Sequence, residues 1–96
     1  KSFAGYLDEV NFWANECFRT KSLEKCKIAL MITDDFQLYA SEKNKYSCQT
    51  RLLALEAHLI MTIINQSQTG RHQQEVITDV RQNCRVLLGN FKGSNL

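Results

Sequence analysis

Apolar residues recur every three or four positions along four separate stretches of the chain, and this spacing constrains the fold more than any other feature. The period of an α-helix places such residues on one face, so each stretch predicts an amphipathic helix. The 96 residues include no proline, which favours uninterrupted helices joined by short connections. Convincing alternation of apolar and polar residues, the pattern of a half-buried strand, does not occur. The predicted fold is all-α, an antiparallel bundle of about four main helices in a single domain over residues 1–96.

Polar segments separate the predicted helices. The helices cover approximately residues 3–17, 23–40, 46–64 and 73–88. Ser22 is predicted to cap the second helix, because its hydroxyl suits a helix N-terminus. Residues 65–70 are predicted to form a polar break with Gly70 as a helix-ending residue. Because residues 52–64 are apolar almost all round, we expect the third helix to be the central and most buried one.

The overall composition excludes several classes of protein. Hydrophobic residues make up 44% and charged residues 23%, which is typical of a globular domain and not of a disordered one. The net charge of +2, from 12 basic and 10 acidic residues, is too small to indicate a nucleic-acid partner. No apolar run is long enough to predict a membrane span. Since the chain starts at Lys1 and not at Met, we expect a processed chain or a piece of a longer protein.

Motifs for catalysis are missing from the sequence. It contains no glycine-rich phosphate loop, no GxSxG and no HExxH. Asp34 and Asp35 are adjacent, so they point in different directions on a helix and are predicted to be solvated. His58 lies in the most apolar segment and is predicted to have a structural role. We therefore predict that the protein is not an enzyme and has no cofactor.

The four cysteines, at positions 17, 26, 48 and 84, leave two interpretations open. Their spacing contains no CxxC pair, so no metal site is predicted. Because they lie on apolar helical stripes, we expect reduced, buried thiols. The alternative is two disulfides, for which three connectivities are possible. The glycosylation sequon Asn65-Gln66-Ser67 would matter only in a secreted chain.

Several short segments, taken in order, resemble motifs of the regulator of G-protein signalling (RGS) homology domain. Residues 11–19 contain Phe12-Trp13 followed by Glu16-Cys17 and are similar to that family's "FW-x-x-C/A-E-x-F/Y-K/R" helix. Glu16 and Cys17 stand here in the reverse of the family's order. Residues 29–36 resemble its "A-x-x-I-Y-x-x-F" helix. The other segments that resemble the family are residues 3–7, 47–51, 74–80 and 91–94.

The RGS resemblance implies a protein-interaction module that binds a Gα subunit or another signalling protein. Its implied partner-binding residues are Asp8, Glu9, Asn11, Asn44 and Asn83. The family's acidic-Asn loop is shortened here, so the resemblance implies weak or absent GTPase activation. It also implies a cytoplasmic location, including the inner membrane surface, and no cofactor.

A second hypothesis comes from a different class, the secreted short-chain four-helix cytokines of the interleukin-15 group, which bind cell-surface receptors. Four helices, four cysteines and one sequon favour it, and residues 38–39 with 46–48 resemble part of that group. Cytokines of this class have long crossover connections, however, whereas the predicted connections here are short.

Overall fold

The computed structural model describes residues 2–65 and 70–85, and four helices lie within these ranges. They are α1 (Phe3–Thr20), α2 (Leu23–Glu42), α3 (Tyr46–Ile64) and α4 (Gly70–Cys84). The predicted all-α class is confirmed. Each helix contacts the next along the chain, and α1 also contacts α4.

Local chemistry explains where the first two helices begin and end. Ser2 Oγ accepts a hydrogen bond of 3.0 Å from the Gly5 N–H, and Ser22 Oγ accepts one of 3.4 Å from the Lys25 N–H. Both serines therefore cap a helix N-terminus, as predicted for Ser22. At the end of α1, Lys21 adopts a left-handed conformation with φ of 56° and donates its N–H to the Cys17 carbonyl.

Contacts between α1 and α2 show that these helices run in opposite directions. Phe3, at the start of α1, contacts the ring of Tyr39 near the end of α2, with 5.0 Å between ring centroids. At the other end of the pair, Cys17 is bonded to Cys26. The short two-residue connection between the helices favours this arrangement.

The same relationship holds for α3 and α4. Cys48, near the start of α3, is bonded to Cys84, the last residue of α4. Near the end of α3, the Thr62 hydroxyl accepts a hydrogen bond of 3.3 Å from Gln73, close to the start of α4. All four helices therefore pack side by side around one core.

Residues from the apolar stripes of all four helices form this core. The buried apolar residues are Phe3, Val10, Ala14, Cys17, Phe18, Cys26, Ala29, Phe36, Ala40, Cys48, Leu52, Leu55, Leu59, Ile77, Val80 and Cys84. Thr33, a polar residue of α2, is also fully buried. Trp13 and Ile32 are only partly buried and pack against the edge of the core.

α3 contacts all three other helices, but the prediction that it is the most buried helix, covered on nearly every side, is wrong. Leu52, Leu55 and Leu59 are fully buried, but they occupy one face of the helix. Leu53 and Ile60, on another face, are exposed. The reason is geometric: α2 and α4 flank α3 and the core lies behind it, so no described helix covers its outer side.

The start of α4 also differs from its prediction. The helix begins at Gly70 and not near Gln73, so this glycine starts a helix where it was predicted to end one. The predicted end of this helix, at Leu88, lies outside the described residues, as do Phe91 and two residues of the sequon.

The expectation of reduced thiols is wrong, because all four cysteines form disulfides. Cys17 pairs with Cys26 across the turn between α1 and α2, and Cys48 pairs with Cys84 across the α3–α4 interface. The stripe positions did place each cysteine in the core. Helical periodicity alone could not show that antiparallel packing brings these particular pairs together.

Candidate functional site: the α2–α3 face

Large apolar side chains are exposed on the outer side of α2 and α3. We define the α2–α3 face by its five most relevant members, Met31, Leu38, Leu53, Ile60 and Ile64, which are between 42% and 74% exposed. Single exposed apolar residues are common on proteins, but a group on two adjacent helices is not. This face is therefore the principal candidate for a binding site among the described residues.

The spacing of the exposed residues on α3 is regular. Tyr46, Leu53 and Ile60 follow one another at intervals of seven residues. Ala57 lies four residues after Leu53, and Ile64 lies four residues after Ile60. This is the spacing that helices use to pack along another helix. All five are exposed, so α3 carries an apolar stripe in addition to the one buried in the core.

A groove runs between the two helices within this face. Its volume is about 400 Å³. The residues that line it are Lys27, Leu30, Met31, Asp34, Glu56 and Ile60. The groove thus combines apolar walls with two carboxyl groups, one from each helix.

A chain of side-chain hydrogen bonds leads to these carboxyl groups. Gln49 Nε2 donates to Gln37 Oε1 at 3.0 Å, and Gln37 Nε2 donates to Asp34 Oδ1 at 3.1 Å. Gln37 is buried, so its amide has little freedom to turn away from either neighbour. The Asp34 carboxylate is therefore held in place against Glu56.

Glu56 is the most perturbed acid of the groove. Partial burial, followed by its hydrogen bond and charge interaction with Asp34, raises the pKa of Glu56 to about 7. Its Oε2 atom is buried and has no hydrogen-bond donor among the described residues. Two ionised carboxylates can only accept hydrogen bonds, whereas a proton on Glu56 can be donated to Asp34. The raised pKa thus means that Glu56 holds its proton up to near-neutral pH beside the Asp34 carboxylate.

Acidic residues border the apolar side chains of α2. Met31, Asp35, Leu38 and Glu42 follow one another at intervals of four, three and four residues, so they lie along one side of the helix. All four are exposed. The apolar face is thus accompanied by negative charge, although the whole chain carries a net charge of +2.

Two residues of the site predicted from the sequence lie at one end of the molecule. Asn44 is in the α2–α3 connection with φ of 61°, and its Oδ1 accepts a hydrogen bond of 2.8 Å from the Tyr46 hydroxyl. Asn83 Oδ1 accepts one of 2.7 Å from the Ser47 hydroxyl. These bonds fix both asparagines beside the start of α3.

The other three predicted residues are not gathered with them. Asp8, Glu9 and Asn11 lie inside α1 and not in a loop at its end. The Asn11 carbonyl and side chain accept hydrogen bonds from Asn15 within the same helix. The structure therefore brings Asn44 and Asn83 to one end of the bundle but leaves the α1 residues along its side.

The α2–α3 face was not predicted. Its signal was the apolar character of residues 52–64 on all sides, which was interpreted as complete burial. The seven-residue spacing of Tyr46, Leu53 and Ile60 could have identified a second stripe.

Comparison with protein-family models, with curated proteins and with solved structures finds no match to this chain. No helix among the described residues combines the length and the apolarity needed to cross a bilayer. The described part also has no cluster of three or more His, Cys, Asp or Glu side chains arranged to hold a metal ion. The described part of the molecule thus consists of four helices with two disulfides and an exposed apolar face.

Proposed function

We propose that this protein is a secreted helical module that binds a partner protein, of the cell-surface receptor class, through its α2–α3 face. The observation that carries the proposal is that both pairs of cysteines form disulfides. Disulfides persist in oxidising compartments and are rare in the cytosol of most organisms. Small secreted domains use them because a core of this size supplies only modest stability.

The α2–α3 face supports the binding role. Exposed apolar groups on two adjacent helices lose contact with water when a partner covers them, at a gain of about 25 cal/mol per Å². The groove between α2 and α3 is open and not enclosed, and the described residues that line it form no arrangement of catalytic groups. An extended protein surface fits it better than a substrate does.

The proposal is closest to the cytokine hypothesis, with one difference. It shares the secreted location, the paired cysteines and the receptor-type partner. The connections of two residues between α1 and α2 and three between α2 and α3 are too short for a crossover, so successive helices run antiparallel. We therefore propose the class of partner and not membership of the interleukin group.

The RGS-like hypothesis is the weaker of the two. Binding a Gα subunit requires a location in the reducing cytosol, where two structural disulfides are not expected. Its predicted contact residues also lie partly at one end of the bundle and partly along α1. The described residues supply no observation that favours this hypothesis over the secreted module.

Photo-crosslinking on intact cells tests the proposal. A photoreactive amino acid is placed at Leu53, in the α2–α3 face, and in a matched variant at Gln82, an exposed position on α4. The disulfide-bonded protein is added outside the cells before irradiation. We expect a saturable cross-link to a defined surface protein from position 53, competed by unlabelled protein, and none from position 82. Equal labelling from both positions, or no saturable product, would contradict the proposal.

A further inference from the structure

We propose that the α2–α3 face binds a basic amphipathic helix of the partner, with a Lys or Arg of that helix seated between Asp34 and Glu56. This inference rests on the proposed function and specifies the chemistry of the partner. It is carried by three features of the face: its helical spacing, its groove and the sign of its charge.

The spacing indicates a helix as the occupant. The exposed stripe of Leu53, Ala57, Ile60 and Ile64 follows intervals of four, three and four residues. Side chains at these intervals fit between those of a second helix that lies along α3. Met31 on α2 forms the other wall of the groove, and its flexible side chain can adjust to the apolar residues that enter.

The charge of the groove indicates a cation on that helix. Asp34 and Glu56 contribute two carboxyl groups from opposite walls, and Lys27 is the only other titratable side chain among the residues that line the groove. A Lys or Arg side chain from a partner, entering from the open side of the groove, pairs with these carboxylates and neutralises them.

The acidic border of α2 selects the same kind of partner. Asp35 and Glu42 flank Leu38 along the exposed side of α2. A helix with basic residues on either side of its apolar stripe places positive charges opposite them. An acidic helix of equal hydrophobicity meets repulsion at the same positions, so charge provides the specificity.

The carboxyl pair also makes the interaction dependent on pH. In the free protein burial and the neighbouring Asp34 raise the pKa of Glu56 to about 7, so binding of a cation requires loss of the Glu56 proton near neutral pH. Asp34 and Lys27 on α2 and Glu56 on α3 are the titratable groups that line this part of the groove. Affinity for a basic helix should therefore be about tenfold lower at pH 6 than at pH 8.

Three synthetic peptides of 19 residues, the length of α3, test the inference. One is an amphipathic helix with Leu on one face and Lys beside it, the second replaces each Lys with Glu, and the third scrambles the order of the first. Fluorescence anisotropy with the full disulfide-bonded chain should show binding of the first peptide at least about tenfold tighter than of the other two.

Variants of the chain locate the effect. The conservative double substitution Asp34→Asn with Glu56→Gln should abolish the pH dependence and reduce the preference for Lys over Glu peptides. Asp79→Asn, on the exposed side of α4, removes one acid away from the face and should change neither. Ile60→Asp should weaken binding of the basic peptide at all pH values.

Other results would overturn the inference. Equal binding of the Lys and Glu peptides would show that charge does not select the partner. A dimer in sedimentation velocity that Leu53→Asp converts to monomer would show that a second copy of this chain occupies the face. If the basic peptide does not bind but the cross-link from position 53 forms, the proposed function is supported and this inference is contradicted.

Discussion

At the scale of single residues, the main feature of the α2–α3 groove is Glu56, a carboxyl group whose surroundings disfavour its charge. Glu56 projects from α3 into a position that is partly removed from water and close to Asp34. Both effects disfavour its ionised form. The sequence predicted that Asp34 and its neighbour Asp35 are solvated, and both are exposed on α2. It could not show Glu56 facing Asp34, because that contact depends on the register between two helices.

Replacing Glu56 by Gln should remove a loss of stability that develops as the pH rises. The folded-state pKa of about 7 lies above the ordinary value of 4.5, so the native state binds the proton more strongly than the unfolded chain does. The stabilisation is fully present below pH 4.5 and is lost as the pH rises through 7. The Gln variant keeps a donor for Asp34 at every pH.

Chemical denaturation at pH 5 and pH 8 measures this effect. The unfolding free energy of Glu56→Gln minus that of the wild type should be higher at pH 8 than at pH 5 by on the order of 1 kcal/mol. This figure allows for solvent screening of a partly exposed group. Asp35→Asn, which removes a neighbouring exposed carboxylate of α2, serves as the control and should show a smaller gain. Parallel behaviour of Glu56→Gln and the wild type at both pH values would show that Glu56 is not perturbed.

At the scale of helices, the sequence predicted the elements better than their environment. Apolar spacing, the cap at Ser22 and the polar segment before Tyr46 are local features, and they placed α1, α2 and α3 close to their actual bounds. Whether the apolar residues of α3 face a core or solvent depends on the number of neighbouring helices. The sequence of α3 alone does not contain that information, so its second stripe was assigned to the interior.

A matched pair of truncations on α3 separates its two apolar stripes. Leu55 is fully buried, and its replacement by Ala should reduce the free energy of unfolding by about 2–5 kcal/mol through lost burial and a residual cavity. Leu53, two positions away, is exposed, and the same replacement there should change it by no more than about 0.5 kcal/mol. Thermal or denaturant unfolding of both variants provides the measurement. Comparable losses at the two positions would mean that the outer stripe is also part of the core.

The two disulfides contribute at the same scale but differ in the loops they close. Cys17–Cys26 spans 9 residues and Cys48–Cys84 spans 36. Loop-closure entropy assigns about 2.5 kcal/mol of stabilisation to the shorter loop and about 4 kcal/mol to the longer one. The longer one also joins α4 to α3 directly. Together they add to the modest stability that the core of a small domain provides.

At the scale of the whole molecule, charge and apolar surface are distributed unevenly. A chain with a net charge of +2 has an acidic, apolar face on α2 and α3, although nothing in its composition indicates such a surface. The predicted partner residues came from the RGS resemblance. A resemblance assigns roles to sequence positions, but it does not show which side chains are exposed. Only the packed arrangement of helices reveals which side chains remain available to a partner.

The state of the cysteines tests the account of a secreted, disulfide-bonded module most directly. The protein is harvested from its natural source with an alkylating reagent present from the first step, and its intact mass is measured before and after reduction. We predict no alkylated cysteine before reduction and four afterwards, with peptide mapping that joins Cys17 to Cys26 and Cys48 to Cys84. Four alkylated thiols without reduction would contradict the account, because they would place the chain in a reducing compartment.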